Sequence, residues 1–195
     1  MFAKDRSNIR KRKLGDEFDP NTFVDYRQTQ IPWREYLDKE VLQFSDADNG
    51  RSIPSTYDGL KNGQRKILYY MLVQLGGIIM KESEYHHGET SLFGTVAFMA
   101  QCFCGTNNIN LLAPKGQYGN RSSEKGRKGH SAARYIFTCL SPITYAIYPK
   151  VDQLILPRKV EDGNTVEPWH MAPVIPMILV NGAAGIGTGW STNVL

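Results

Sequence analysis

The junction at His130 to Leu140, HSAARYIFTCL, most constrains this chain, because a glycine- and lysine-rich loop ends there and an apolar run begins. The run from Arg134 to Leu140 predicts a strand, with Tyr135 at its entrance. A phenol has an ordinary pKa of about 10, so a nucleophilic tyrosine needs a neighbouring cation or base. The planar fork of Arg134 supplies a cation and can hold a phosphate oxygen, which favours attack on a phosphodiester. The alternative is a strand tyrosine whose ring packs in the core.

The charge around this junction is uneven. The whole chain carries +4, but the segment from Leu111 to Tyr135 holds six basic residues and one acid, Glu124. The six are Lys115, Arg121, Lys125, Arg127, Lys128 and Arg134. This excess of +5 indicates a polyanionic partner, and a solvated lysine-rich loop is the alternative.

Composition excludes several other classes. A chain of 195 residues with 41% hydrophobic residues can form one or two domains. The cysteines, Cys102, Cys104 and Cys139, are odd in number and lack CxxC spacing, so we expect core thiols rather than a zinc site or a disulfide framework. No apolar run is long enough to cross a membrane, and the N-terminus lacks a signal pattern. We therefore expect a soluble intracellular protein.

Apolar periodicity predicts three helices. The first runs from Trp33 to Phe44 and ends in the turn SDADNG, the second from about Gly63 to Leu75, and the third from Thr90 to Phe103. Lys61, Arg65 and Lys66 stand at the start of the second helix. Basic residues oppose the helix dipole there, so they indicate phosphates docking at this terminus.

The second half of the chain has further pattern. Pro142 to Tyr148 predicts a short helix, and Leu154 to Met171 predicts a hairpin around Asp162-Gly163-Asn164. The segment PVIPMILVNGAAGIGTGW predicts a buried strand that enters a glycine loop. Its glycines lack GxGxxG spacing, which argues against a dinucleotide site.

Two polar groupings suggest metal ligands, but neither has the required spacing. Asp46 and Asp48 lack the glycine and glutamate positions of a calcium loop. His86 and His87 with Glu89 lack HExxH spacing, so structural histidines are the ordinary interpretation. We expect no metal site in this chain.

Six blocks of sequence, in order, resemble the DNA breakage-reunion region of eukaryotic-type (type IIA) DNA topoisomerase II. They are RSIPS from Arg51, DGLKNGQRKIL from Asp58, YHHGE from Tyr85, NNINLLAPKGQYGNR from Asn107, ARYIFTCLSP from Ala133 and VEPWHMAPVIPMILVNGAAGIGTGW from Val166. The resemblance extends from about Trp33 to Trp190. The chain departs from the family pattern by being shorter between Lys66 and Tyr85 and longer in the loop before Arg134.

The resemblance implies roles for individual residues. Tyr135 would be the DNA-cleaving nucleophile, and Arg134, His87 and Arg51 would stabilise charge on the phosphate. Ile186 would wedge between base pairs and bend the duplex. The DNA-binding set that we predict is Lys61, Arg65, Lys66, Ser91, Lys115, Gln117, Arg121 and Ile186.

The resemblance also implies an α+β fold in which a winged-helix domain leads into the start of a tower domain. We expect residues 1–30 to be a linker or the tail of a preceding Toprim domain, 31–150 the winged-helix domain, and 151–195 the beginning of a truncated tower. The basic run Arg10 to Lys13 suggests nuclear import or a solvated surface.

The family works as a homodimer on double-stranded DNA and uses magnesium and ATP. We expect both cofactors to bind domains that lie outside this chain, and we expect the protein in the nucleus or a viral equivalent. An isolated fragment would then be inactive. Two alternatives stay open, a non-catalytic winged-helix DNA-binding remnant and a segment that only completes an assembly interface.

Overall fold

A computed structural model describes residues 6–73, 88–122, 128–161 and 163–195. Its helices are α1 (Ser7–Leu14), α2 (Trp33–Ser52), α3 (Asn62–Val73), α4 (Gly88–Ala100), α5 (Pro142–Ile147) and α6 (Met177–Asn181). Its strands are β1 (Leu112–Lys115), β2 (Phe137–Leu140), β3 (Arg158–Glu161), β4 (Asn164–Pro168), β5 (Ala183–Ile186) and β6 (Ser191–Val194), paired as β1–β2, β3–β4 and β5–β6. The predicted α+β class is confirmed, whereas the winged-helix assignment and the boundaries at 30 and 150 stay predictions.

The chain divides into two compact units. One combines Met1–Ile53 with Ala184–Asn193, and the other combines Pro54–Ala183 with Val194–Leu195. In the first unit, Lys13 of α1 forms an ion pair with Asp38 of α2. The segment between these helices is also held to α2, because the Val24 amide donates to Glu40 Oε1 at 3.0 Å.

Helix α2 begins at Trp33, as predicted, but the predicted end at SDADNG is wrong. The helix continues to Ser52, because its polar residues find partners within it: Ser45 Oγ donates to the Val41 carbonyl, and Ser52 Oγ donates to Asp48 Oδ1. The helix ends where Pro54 disfavours a helical conformation for the preceding residue, and Ile53 is extended at φ −89° and ψ 127°.

In the second unit, α3 is buried on nearly every side. Its start is stabilised by the Gln64 side chain, whose Oε1 accepts from the Lys61 amide at 2.9 Å in the manner of a capping box. The predicted apolar stripe is in the core, where Ile67, Leu68 and Leu72 are fully buried. Helix α4 and strands β1 and β2 pack around this core. The predicted second and third helices are thus confirmed within the described residues, although α4 ends before Phe103.

Strands β1 and β2 pair antiparallel, from Leu112 opposite Leu140 to Lys115 opposite Phe137. The prediction that the strand begins at Arg134 is wrong, since residues Ala133–Tyr135 form a 3-10 turn and β2 begins at Phe137. The pairing ends there because β1 ends at Lys115 and the chain turns at Gly116, whose φ is +122°. Tyr135 consequently lies outside the sheet.

The later elements follow the predictions in part. Helix α5 and the hairpin of β3 and β4 are confirmed, although Asp162 lies outside the described residues. The predicted strand in PVIPMILV is wrong, because Met177–Asn181 forms a helical turn. The amides of Leu179 and Val180 both donate to the Pro176 carbonyl at 2.9 and 3.1 Å, which closes that turn. Periodicity alone does not separate a short apolar helix from a strand.

The cysteines are not core thiols, so that expectation is also wrong. Cys102 and Cys104 are exposed and Cys139 is intermediate in exposure, and all three are free. The first two follow the end of α4, where the chain leaves the core. No helix in the described part of the chain is long and apolar enough to cross a membrane.

Tyr148 provides a test of this packing. Its side chain is fully buried, and its hydroxyl finds no hydrogen-bond partner among the described residues. Burial, followed by the nearby charge of Asp58, raises the pKa of Tyr148 above its ordinary value. The neutral phenol is therefore required for folding. Its contribution is complete below the unfolded pKa of about 10 and is lost as pH rises above it.

We expect Tyr148→Phe to raise the free energy of unfolding by about 1 kcal/mol at pH 7, because it removes a buried hydroxyl without a partner. The advantage over the wild type should grow above pH 10, by up to about 1.4 kcal/mol per pH unit. Urea unfolding at pH 7 and pH 10.5 measures both. Tyr145→Phe, at an exposed tyrosine, is the control. A difference between Tyr148→Phe and wild type that does not change with pH would contradict the burial of the phenol.

Candidate active site

Tyr135 lies at the surface of the second unit. It ends the 3-10 turn Ala133–Tyr135, and its amide donates to the Ala132 carbonyl at 2.9 Å. The side chain is 65% exposed, so its ring is not packed in the core. A fixed backbone with an accessible hydroxyl is what attack on a large substrate requires.

Arg134 lies directly against this tyrosine. Its Cζ atom is 4.8 Å from the centroid of the Tyr135 ring, within the range of a cation–π contact. Arg134 is itself exposed, so its guanidinium remains open to a second partner such as a phosphate. The adjacency seen in the sequence is therefore a real contact between the two side chains.

The segment from Lys115 to Tyr118 packs against the 3-10 turn that ends at Tyr135. Gly116 approaches so closely that a Cβ atom there would lie 3.0 Å from Ile136 Cγ2 and 3.3 Å from the Tyr135 carbonyl oxygen. Since its φ is also +122°, any other residue at Gly116 would be strained and would press on the turn. Lys115 is opposite Phe137 in the ladder, which brings its exposed side chain to the same end of the sheet as Tyr135.

Three hydrogen bonds fasten this supporting segment. The Ser131 amide donates to the Gln117 carbonyl at 3.0 Å, Tyr118 Oη donates to the Phe137 carbonyl at 2.6 Å, and Gln101 Nε2 donates to the Tyr118 carbonyl at 2.8 Å. Burial raises the pKa of Tyr118, so this phenol stays neutral as a donor. Sequence analysis missed the structural roles of Gln101 and Tyr118, which no local motif reveals.

The loop that precedes Tyr135 in the chain carries exposed basic side chains. Lys115, Arg121, Lys128 and Arg134 are all exposed, and none has an acidic side chain within ion-pair distance among the described residues. Lys125 and Arg127 lie outside the described residues. Gln117 is also exposed. The described part of the loop therefore presents uncompensated positive charge to solvent.

Arg65 and Lys66 are placed differently from our expectation. Arg65 Nε donates to Asp58 Oδ2 at 2.7 Å, and Lys66 Nζ lies 2.7 Å from Glu161 Oε2. Both residues are buried, at 4% and 5% exposure. Their charges are compensated within the fold, so we correct the predicted DNA-binding set by removing them. Lys61, just before α3, remains partly exposed.

Two predicted site residues belong to the first unit. Arg51 is in the last turn of α2, half-exposed, with Nη2 donating to Asp48 Oδ1 at 2.9 Å. Ile186 ends β5 and is 83% exposed, which is unusual for an isoleucine. In the second unit, Ser91 is exposed in α4. Tyr85, His86 and His87 of the YHHGE block lie outside the described residues.

The described residues do not fit a bound metal ion. Among them, no three His, Cys, Asp or Glu side chains come together as a ligand set. Asp58, Glu161 and Glu167 of the second unit are instead engaged with Arg65, Lys66 and Lys159. No described residue is therefore assigned as a magnesium ligand.

Comparison with known proteins gives consistent similarities. The family of the A-type subunits of DNA gyrase and topoisomerase IV matches residues 51–195. The chain is 48% identical to DNA topoisomerase 2 of Arabidopsis thaliana and 46% identical to that of Drosophila melanogaster, over 98% and 95% of this chain. It spans only 13% of the length of either relative.

A solved structure is also similar. The crystal structure of the DNA-binding, cleavage and re-ligation domain of Plasmodium falciparum topoisomerase II matches with a TM-score of 0.80 and 44% identity. The match covers 99% of this chain and 27% of that chain. At this level of identity, the likeness includes both the fold and the sequence.

Proposed function

The chain belongs to the DNA gyrase/topoisomerase IV family of A-type subunits, and from this premise we propose that it is the segment of an ATP-dependent type II DNA topoisomerase that cuts and rejoins the DNA backbone. The observation that carries the proposal is Tyr135, exposed on a fixed turn with the Arg134 guanidinium against its ring. Lys115, Arg121 and Lys128, which precede the pair in the chain, are exposed and form no ion pair among the described residues.

The proposed reaction is a transesterification. The Tyr135 hydroxyl gives its proton to water and its oxygen attacks a backbone phosphorus. The bond from phosphorus to the 3′ oxygen breaks, and that oxygen takes a proton from water and leaves as a 3′ hydroxyl. The product is a 5′-phosphotyrosyl link. Since one phosphodiester replaces another, the reverse attack by the 3′ hydroxyl rejoins the strand without an external energy source.

Arg134 is proposed to hold the phosphate that Tyr135 attacks. The N–H groups at the edge of its exposed guanidinium can donate to the non-bridging oxygens while one face stays against the phenol ring, which aligns nucleophile and phosphorus. Positive charge at this point also stabilises the additional negative charge of the pentacovalent transition state. We propose Arg51 and His87 as further charge-stabilising residues, as the sequence blocks imply.

The remaining contacts would position the duplex. Lys115, Gln117 and Arg121 lie on or beside the supporting segment of Tyr135, and Lys61 and Ser91 belong to the same unit; we propose all five as backbone contacts. Ile186 is proposed as the apolar wedge that bends the duplex, because a large exposed side chain on a strand end suits insertion between base pairs.

The proposed function includes a second copy of the chain, a DNA substrate and two cofactors. Two copies working as a homodimer on double-stranded DNA would make two cuts and pass a second duplex through the break, in the nucleus or a viral equivalent. Magnesium and ATP would bind outside the residues described above. When bound, the metal would supply electrostatic stabilisation to phosphoryl transfer.

Salt dependence tests the proposed DNA surface. If Lys115, Arg121, Lys128 and Arg134 neutralise phosphates, the logarithm of the association constant should fall with the logarithm of salt concentration with a slope of about −3 to −4. Fluorescence anisotropy with a labelled duplex measures this slope. The double substitution Lys115→Ala and Arg121→Ala should make the slope shallower by about 2.

The control for this titration is Arg12→Ala, which removes a cation that is already paired with Glu17. Its slope should equal that of the wild type. A wild-type slope near zero would exclude backbone binding by this surface.

Arg134→Ala tests the charge beside the nucleophile. Loss of a preorganised donor to the phosphate should reduce the cleavage rate about 30- to 1000-fold, which corresponds to about 2 to 4 kcal/mol. The rate would be followed in a chimera in which this chain replaces the matching segment of the Arabidopsis thaliana relative. Lys150→Ala is the matched control, because Lys150 Nζ lies 5.8 Å from the centroid of the exposed Tyr145 ring. Equal rates for the two variants would remove Arg134 from the mechanism.

A further inference from the structure

The loop after Ile186 is fixed at both of its ends. The Gly187 amide donates to the Trp190 carbonyl at 2.9 Å and closes the turn between β5 and β6. The tip of this turn contains Thr188. Ile186 itself has little contact with the protein, since it is 83% exposed. The direction in which Ile186 points is therefore set by the loop that follows it.

Asp48 of α2 binds this loop through its carboxylate. Oδ2 accepts from Thr188 Oγ1 at 2.7 Å, while Oδ1 accepts from Arg51 Nη2 at 2.9 Å and from Ser52 Oγ at 3.1 Å. The hydrogen bonds from Thr188 and then from Arg51 hold the pKa of the Asp48 carboxyl below its ordinary value. The charged form is thus the form that makes these contacts.

The next residue of α2 completes the contact. Asn49 Nδ2 donates to the Thr188 carbonyl at 3.4 Å, and Asn49 Oδ1 is buried without a partner among the described residues. Gly187 packs closely against Asn49, since a Cβ atom at this position would lie 3.3 Å from Asn49 Cα and would displace the Asn49 side-chain oxygen. Close packing and two hydrogen bonds therefore hold the loop backbone against the last turns of α2.

We propose that Asp48 is a positioning residue that serves Arg51 and Ile186 together. One carboxylate orients the guanidinium at the end of α2 and, through Thr188, the loop that follows the exposed isoleucine. Asp48 itself does not touch DNA in this proposal. The inference rests on the proposed function, because it assigns Asp48 to the two DNA contacts that the function gives to this unit.

The physical reason is the cost of inserting a wedge. Separating two stacked base pairs costs free energy that an inserted side chain must offset, and a side chain on a loose hairpin would lose additional conformational freedom on insertion. Holding the loop in place before DNA binds reduces that loss. The same carboxylate limits the rotamers of Arg51, so the cation and the wedge keep a constant separation.

Thr188→Val tests the proposal with little change of shape. It removes the hydroxyl that donates to Asp48, and Thr188→Ser restores that hydroxyl. We expect amide hydrogen exchange in residues 183–194 of the chain to accelerate roughly three- to tenfold in Thr188→Val and Asp48→Ala, and to stay at the wild-type rate in Thr188→Ser. This measurement needs no DNA.

The second measurement is the bending of a duplex labelled at both ends, monitored by energy transfer between the labels. Thr188→Val and Asp48→Ala should lower the bent fraction at saturating protein by at least about threefold, and Thr188→Ser should not. Ile186→Ala is the reference, since it should lower bending while the exchange of the hairpin stays unchanged. Equal melting temperatures would show that the variants are folded.

The outcomes separate the two proposals. An unchanged rate of amide hydrogen exchange in Thr188→Val would overturn the positioning role, whether or not the duplex bends. A faster rate of exchange with wild-type bending of the duplex would also overturn it. Faster exchange together with reduced bending, restored by Ser, supports it. If the wild-type chain binds DNA without bending it and Ile186→Ala changes nothing, the wedge assignment in the proposed function fails and the positioning role fails with it.

Discussion

Tyr135→Phe is expected to abolish covalent attachment of protein to DNA. The substitution removes one oxygen, the atom that forms the bond to phosphorus, and it leaves the ring to make its contact with Arg134. Because the ring is mostly solvent-exposed, the free energy of unfolding should change by less than about 0.5 kcal/mol. The variant should therefore lose covalent attachment completely and keep almost the wild-type free energy of unfolding.

The experiment traps protein on end-labelled duplex with denaturant, in the chimera that carries this chain, and identifies the linked peptide. Tyr145→Phe is a closely matched control, since Tyr145 is also exposed and also has a cation near its ring, Lys150. It should trap as much DNA as the unsubstituted chimera. Attachment that persists in Tyr135→Phe and disappears in Tyr145→Phe would transfer the nucleophile to Tyr145.

Tyr118→Phe addresses the other nearby phenol. Tyr118 Oη is committed to the Phe137 carbonyl, and the side chain is buried. We expect this variant to keep covalent attachment but to react more slowly, because the segment beneath Tyr135 loses a hydrogen bond worth about 1 kcal/mol. A slower rate with the same linked peptide distinguishes support of the turn from nucleophilic attack.

Asp58→Ala is expected to have the largest effect on stability, about 3 to 5 kcal/mol. The Asp58 carboxylate accepts from Arg65 Nε and Nη2 at 2.7 and 3.1 Å, from the Leu60 amide at 2.9 Å and from the Met171 amide at 2.8 Å. Its removal leaves the Arg65 guanidinium buried without its counter-charge. The amide of Met171 also loses its acceptor, although that residue is fully buried.

Urea unfolding followed by circular dichroism measures the loss. Asp58→Asn retains an oxygen acceptor while removing the charge. Its free energy of unfolding should therefore lie between those of Asp58→Ala and the wild type, and the chain should stay folded enough to measure. Glu17→Ala is the control, because it breaks a half-exposed ion pair with Arg12 and should cost less than about 1 kcal/mol. Equal losses for Asp58→Ala and Glu17→Ala would show that the buried pair does not stabilise the fold.

Some features of the fold were predictable because their causes are local. The hairpin of β3 and β4 follows from turn residues between two short strands, and α3 and α4 follow from apolar spacing. The end of α2 was not predictable in the same way. The residues of SDADNG favour turns by themselves, but within the helix Ser45 and Asp48 form side-chain hydrogen bonds with residues three and four positions away.

The candidate site was likewise predictable where its features are local in the chain. The pairing of Arg134 with Tyr135 and the excess of basic residues before them are properties of adjacent positions, so the sequence alone determined them. The sequence could not separate Lys115 and Arg121, which reach solvent, from Arg65 and Lys66, which are buried against acids. Glu161 is 95 residues from Lys66, and Asp58, although only seven residues from Arg65, is also held by the Met171 amide, 113 residues away.

Sequence by itself therefore determined which chemical groups stand next to each other in this protein: a phenol beside a guanidinium, a basic loop, and an isoleucine between glycines. Tertiary structure decided which of these groups are accessible and what holds them. It buried Lys66 against Glu161, 95 residues away, and it placed Thr188 on Asp48, 140 residues away. The physical reason is that burial and ion pairing depend on contacts between distant segments, and a local pattern of residues does not contain those contacts.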